Sequence, residues 1–333
     1  MKIGIIAPSA PVPLIELKLG VDRIKKAGFS VIVHPQCRKK HLFFAGTDSE
    51  RASAFFEYAQ NPEISALWCG RGGYGAVRLL PILEKYTQEK GIPPKKLLVS
   101  YSDGTALMEY VRKVWGWSTL HAPMPGLRKF SLLPDQDWDA MANWIQGKQA
   151  VSPWEKKKLT YWTAPPQVEI RAPLVGGNLT VWNSLVGTRF EAKGQDRILF
   201  LEDVDESLYR IDRVLQQLTL SQNLNGVKAI VLGNFLNCRD YSPSVLKEFP
   251  SPKSRNRVLH SPKPGELKPL RKVYPELKVL KQIFREIGEK LQIPVAYGLP
   301  VGHGPEVSPL PLGADYRLLP TGQLELLKWD WMI

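Results

Sequence analysis

Chemistry in this chain concentrates in three short segments that each end a strand-like run: Leu97-Leu-Val-Ser-Tyr-Ser-Asp-Gly-Thr-Ala-Leu107, Leu201-Glu-Asp-Val-Asp-Glu206 and Pro300-Val-Gly-His-Gly-Pro305. In the first, an apolar strand meets Ser102 at a sharp turn and leaves as a helix, which would lift the hydroxyl off the strand's carboxyl end with helical amides behind it. Such amides can hold a developing oxyanion. A Ser-Asp pair is also an ordinary helix cap. The pattern departs from G-x-S-x-G as well, with Ser100 in the first glycine's place and Thr105 after Gly104, so catalysis requires a base and a second oxyanion donor from elsewhere. The second segment sets carboxylates, from Glu202 to Glu206, after an apolar strand; they suit an acidic partner for a histidine, and the lack of clustered His or Cys argues against a metal site. The third places His303 between glycines, where the ring can reach a proton and be oriented through its other nitrogen. Ser, then Glu or Asp, then His is the chain order of α/β-hydrolases.

A fourth segment, Gly70-Arg-Gly-Gly-Tyr-Gly75, follows a buried strand and precedes a helical run, so its amides face the same rim as Ser102. It lacks the lysine and the spacing of a P-loop, and an amide offered to an oxyanion is the better use of glycines that let backbone approach a ligand. Arg71 can hold a substrate carboxylate or make a structural ion pair. Tyr74 beside it is a candidate substrate contact.

These loops need a scaffold. Strand patterns at 3–7, 30–33, 64–68, 97–101 and 118–122 alternate with amphipathic segments, such as Leu17, Val21 and Ile24 at helical spacing. That alternation predicts an α/β fold with a doubly wound, Rossmann-like parallel sheet over residues 1–125, whose ligands bind at the strands' carboxyl ends. Residues 126–170, rich in Pro, Trp and Lys, read as an inter-domain connection. A smaller C-terminal α/β domain, 171–333, would carry the acid and the histidine. Its expected elements are a helix opened by Gly176-Gly-Asn-Leu-Thr, strands at 197–201 and 227–232, helices at 209–220 and around Leu277 to Leu291, and short strands near 294–298, 315–319 and 323–327.

A length of 333 residues with 44% hydrophobic content permits a sizeable core. No apolar run is long enough for a membrane span. The chain opens at once on strand-like Ile3–Ala7 without a leader, and Cys37, Cys69 and Cys238 form neither a disulfide framework nor a metal spacing, so a reducing, cytoplasmic setting is expected. The net charge of +13 raises the question of nucleic acid. Much of it is local: residues 247–272 hold eight Lys or Arg against two Glu, with five prolines. That composition reads as a basic, Pro-rich insertion at about 240–272, either a solvated excursion or a contact for an anionic surface or polymer.

Taken together, the segments APS near the start, FAGTDSERA (44–52), RGGYGAVRLLP (71–81), YSDGTAL (101–107), HAPM (121–124), GGNLT (176–180), LFLEDVDESLYRIDRVLQQL (199–218) and LPVGHG (299–304) resemble the LD-carboxypeptidase family of serine peptidases, which includes microcin C self-immunity peptidases. The resemblance implies a Ser102–Glu202–His303 triad, with Glu206 the rival acid. It also implies an oxyanion hole from the amide of Asp103 and one from Gly72 or Gly73, with Gly73 preferred. The implied reaction releases the C-terminal D-alanine of murein tetrapeptides during cytoplasmic cell-wall recycling, without metal or cofactor, by homodimers. A microcin-immunity type enzyme would keep the triad and cut peptidyl or aminoacyl nucleotide analogues instead. A non-catalytic binder of anionic polymers, using the basic segment, is the remaining alternative. Ser100 and Ala122 stand where the family usually has glycine, and the 240–272 stretch is longer than its usual connection.

Overall fold

The computed structural model describes residues 1–148, 153–239, 275–306 and 308–332; the basic insertion expected at 240–272 lies outside them. Strands β1 (Lys2–Ile6), β2 (Ser30–Val33), β3 (Ala66–Cys69), β4 (Leu97–Ser100) and β5 (Ser118–His121) form a parallel sheet in the order β2-β1-β3-β4-β5. Chain direction across the sheet reverses between β1 and β3, and at such a switch point the loops leaving the two strands part to open a crevice. Pro8-Ser9 leaves β1 and Gly70–Gly75 leaves β3 at that place.

Helices between the strands follow their apolar spacing. α1 (Leu14–Lys26) buries Leu17, Val21 and Ile24, and α2 (Asp48–Gln60) begins with a capping box in which Thr47 and Glu50 satisfy each other's backbone N–H. α3 (Leu80–Lys90) crosses from β3 to β4. α4 (Thr105–Trp115) leaves the Ser102 turn and stops at Gly116, whose φ of 67° suits a residue without a Cβ.

The stretch expected as a bare connection holds structure of its own. α5 (Arg128–Ser131) and α6 (Asp135–Ile145) pack on the first sheet, where Phe130 meets Trp68 and Trp138 edge-on at 5.3 and 5.5 Å. β6 (Thr160–Tyr161) then joins the second sheet. That sheet runs β13-β12-β7-β8-β9-β10-β6, with β7 (Ile170–Asn178), β8 (Ile198–Val204), β9 (Ala229–Leu236) and β10 (Val295–Tyr297) parallel and β12 (Asp315–Leu318), β13 (Leu324–Lys328) and β6 antiparallel. Gly176 and Gly177, expected to open a helix, instead end β7, and the short α7 (Leu179–Asn183) starts from Asn178. Gly176 accepts no Cβ because the Phe200 carbonyl would lie 1.9 Å from it. α8 (Leu208–Leu220) and α9 (Pro275–Leu291) cover this sheet, the latter burying Leu280, Phe284 and Ile287.

One strand ties the halves together. β11 (Leu310–Leu312), in the range expected to belong to the C-terminal unit, lies antiparallel on β5 as the edge of the first sheet. A continuous apolar cluster accordingly runs from Ile3 and Leu97 through Leu310 to Leu174, Phe200 and Val231. Cys37, Cys69 and Cys238 are free and buried, and burial pushes each thiol up to about 12. Among the described residues no helix is long and apolar enough to cross a membrane.

Candidate active site

Ser102 opens a tight turn, Ser102–Gly104, with φ of 60°. That left-handed conformation costs an L-residue roughly 1–2 kcal/mol. The side chain does not spend itself on capping, since neither the turn nor α4 has a side-chain cap. Its Oγ lies 3.0 Å from His303 Nε2. Asp103 points the other way and is buried. Its Oδ2 accepts from the Ser9 hydroxyl at 2.5 Å and the Ala76 N–H at 2.9 Å, and burial raises its pKa against the lowering effect of Ser9, Ala76 and Gly75. The carboxyl group therefore binds the loops after β1, β3 and β4 into one rim. Sequence reading gave Asp103 its amide or a place in a helix cap; the side chain's observed contacts depend on partners 94 and 27 residues away.

The glycine loop lies against the nucleophile. A Cβ on Gly72 would stand 3.1 Å from Ser102 Cβ and 3.2 Å from its Oγ, while one on Gly73, at φ 113°, would meet Ala10 Cβ at 2.6 Å. Gly72 O accepts from the Ala10 N–H at 3.2 Å, which fixes the loop's height. Arg71 is half-buried and donates to the Pro11 carbonyl at 3.1 Å. Tyr74 stands half-exposed at the rim, its ring 6.1 Å from Phe43 and 5.7 Å from Phe44.

Glu202 and His303 meet at the carboxyl ends of the second sheet's parallel strands. Glu202, fully buried at the end of β8, holds Oε2 2.6 Å from His303 Nδ1 and accepts the His303 backbone N–H at 3.2 Å. An ionised carboxylate only accepts, so this network assigns the ring proton to Nδ1 and leaves Nε2 as the acceptor facing Ser102. Gly302 makes the approach possible: at φ 113°, a Cβ there would lie 2.6 Å from Glu202 Oε2. The loop is held at both ends, by β10 in the second sheet and β11 in the first, where Leu310 pairs with His121. Glu206 does not share this site. Its Oε1 accepts the Ser207 N–H at 2.8 Å and pairs with Arg210 at 3.6 Å at the start of α8.

Three neighbours were given no role in the sequence reading. The Tyr101 ring stands 4.9 Å from the His303 ring, and His121 packs against Tyr101 at 5.5 Å and Phe200 at 5.3 Å. Burial pulls His121 down to about 4, opposed by the Glu202 charge, so it is neutral at pH 7. Lys129 places Nζ 4.9 Å from the centroid of the Tyr101 ring, over the ring. No local pattern marks a lysine in a chain with 45 Lys and Arg.

Ser100 constrains Gly104. A Cβ on Gly104 would stand 1.9 Å from Ser100 Oγ and 2.8 Å from its Cβ, although the Gly104 φ of −63° suits any residue. Gly104→Ala is therefore expected to destabilise by roughly 1–3 kcal/mol through overpacking. Adding Ser100→Gly recovers most of the loss, which denaturant unfolding of the single and double variants checks as a coupling energy.

Among the described residues no group of three or more His, Cys, Asp or Glu side chains is placed to hold a metal. A serine-type hydrolase on paired α/β sheets is the class that this fold and site define. The chain matches the LD-carboxypeptidase N-terminal domain over residues 3–122 and the LD-carboxypeptidase C-terminal domain over residues 171–318. It is 32% identical to a putative carboxypeptidase of Streptomyces coelicolor over 72% of this chain and 76% of that one, and 25% identical to the murein tetrapeptide carboxypeptidase of Pseudomonas aeruginosa over 94% and 91%. The structure of a muramoyltetrapeptide carboxypeptidase from Oxalobacter formigenes superposes with a TM-score of 0.71 at 26% identity, covering 100% of both chains. This chain belongs to the LD-carboxypeptidase family and is a serine-type carboxypeptidase.

Proposed function

We propose that the protein hydrolyses the L-to-D peptide bond that joins the C-terminal D-alanine to a murein tetrapeptide, through Ser102, His303 and Glu202. One observation carries the reading: a hydroxyl, an imidazole and a buried carboxylate in line, at 3.0 and 2.6 Å, from loops 201 and 101 residues apart. His303 Nε2 takes the Ser102 proton as Oγ bonds to the scissile carbonyl carbon. Negative charge moves to the carbonyl oxygen, toward the amides of Asp103 and Gly73. Collapse breaks the C–N bond, and the departing amine of D-alanine receives the proton from Nε2. Water then gives a proton to the same nitrogen, its oxygen bonds to the acyl carbon, and Ser102 leaves with its hydrogen restored. Glu202 stays ionised throughout and stabilises the imidazolium.

The family resemblance also supports a role in cytoplasmic cell-wall recycling and a homodimeric state. Mass spectrometry of products from murein tri-, tetra- and pentapeptides tests the substrate. Loss of one alanine residue from the tetrapeptide alone is the expected result. Cleavage of an aminoacyl-adenylate analogue with intact murein peptides would move the substrate to the microcin-immunity type.

A further inference from the structure

A carboxypeptidase must recognise the free carboxylate of the residue it removes, and the line of the reacting groups fixes where that carboxylate lies. His303 Nε2 delivers a proton to the leaving amine, so the D-alanine sits on the imidazole's side of Ser102, and its carboxylate lies one residue's length beyond. Arg71, the sequence's candidate, is on the glycine loop, on the oxyanion side, and already donates to the Pro11 carbonyl. We propose that Lys129 is the specificity residue that binds the substrate's terminal carboxylate, presented over Tyr101 on the leaving-group side of His303.

The geometry is a short chain of contacts. Tyr101 lies 4.9 Å from the His303 ring, and Lys129 Nζ lies 4.9 Å from the Tyr101 centroid. An aromatic face attracts an ammonium group but takes none of its hydrogen bonds. Among the described residues no carbonyl or carboxylate accepts from Lys129 Nζ, and its nearest negative field is that of Glu202, whose Oε2 is already committed to His303. Three donors thus stay available to an incoming anion. The backbone beneath is rigid: Phe130 is buried against Trp68 and Trp138, and Arg23 donates to the Phe130, Ser131 and Leu133 carbonyls at 3.2, 2.9 and 2.7 Å. Burial holds the Lys129 ammonium down to about 8, a cost that a bound carboxylate would offset.

The assignment rests on the carboxypeptidase reading, so binding and turnover are measured separately. Calorimetry compares the murein tetrapeptide with its C-terminal amide on the Ser102→Ala protein. The acid is expected to bind about 10- to 100-fold more tightly than the amide, as one charge-assisted bond allows. Adding Lys129→Met removes that preference, Lys129→Arg restores part of it, and Arg71→Ala leaves it in place. Equal binding of acid and amide, failure to bind either, or a preference that survives Lys129→Met overturns the proposal. The Lys129→Met melting temperature at pH 7 is expected to equal or exceed that of the parent, since burial disfavours the charged form, and the same melting curve shows whether the variant is folded. A parent enzyme that binds the acid selectively yet releases no D-alanine would sink the turnover reading and leave the carboxylate site standing.

Discussion

Replacing Ser102 with alanine is expected to lower kcat by on the order of 10⁴- to 10⁶-fold while KM for the tetrapeptide changes little. Alanine removes the one atom that forms the acyl bond and leaves the backbone at the same φ of 60°, with no new strain because neither residue is glycine. The melting temperature should stay within about 2 °C of the parent. The His303→Ala variant should lose a similar factor, and the double variant should be no worse than either single one, since a nucleophile and its base act as one unit. Steady-state kinetics on the tetrapeptide read all three. A Ser102→Ala protein retaining a tenth of the activity would mean that another group attacks the carbonyl.

The parts of this site that were legible in the sequence are those whose chemistry is local. The run Leu97–Val99 into Ser102 and α4 specifies a strand, a turn and a helix within a dozen residues, and His303 between Gly302 and Gly304 marks a backbone with room around it. The parallel first sheet followed from alternation alone. What the sequence concealed depends on distant partners. β11 is Leu-Pro-Leu, too short and too proline-bearing to read as a strand, and it exists because β5 offers Thr119 to His121 as an open edge. Gly176 and Gly177 looked like a helix entrance, yet they are where β7 passes the Phe200 carbonyl and the Thr105 side chain too closely for any Cβ. α6 was hidden by its tryptophans, whose packing on Phe130 and Trp154 is invisible without the neighbouring elements. Lys129 and Tyr101 are ordinary residues made special by adjacency. Residue patterns alone narrowed the acid to one segment and the resemblance put Glu202 ahead of Glu206, while the contact of Glu202 with His303 comes from a loop a hundred residues on.

That choice yields the second large effect. Glu202→Gln is expected to cut kcat/KM by on the order of 10³- to 10⁴-fold, because the neutral amide cannot stabilise the imidazolium and its NH₂ can force the wrong ring tautomer. Burial sharpens the penalty. Glu202 is wholly enclosed, with Oε1 already lacking a hydrogen-bond partner among the described residues, so no solvent dipole can replace the lost charge. Glu206→Gln is the control: it keeps an oxygen able to accept the Ser207 N–H, disturbs only a half-exposed pair with Arg210, and should change kcat/KM by less than about twofold. The two carboxylates lie in one segment, but only Glu202 touches His303, so the larger loss is expected there. Equal losses, or a larger one at Glu206, would require a different histidine orientation in the working enzyme and would break the line from Ser102 through the ring to the second sheet.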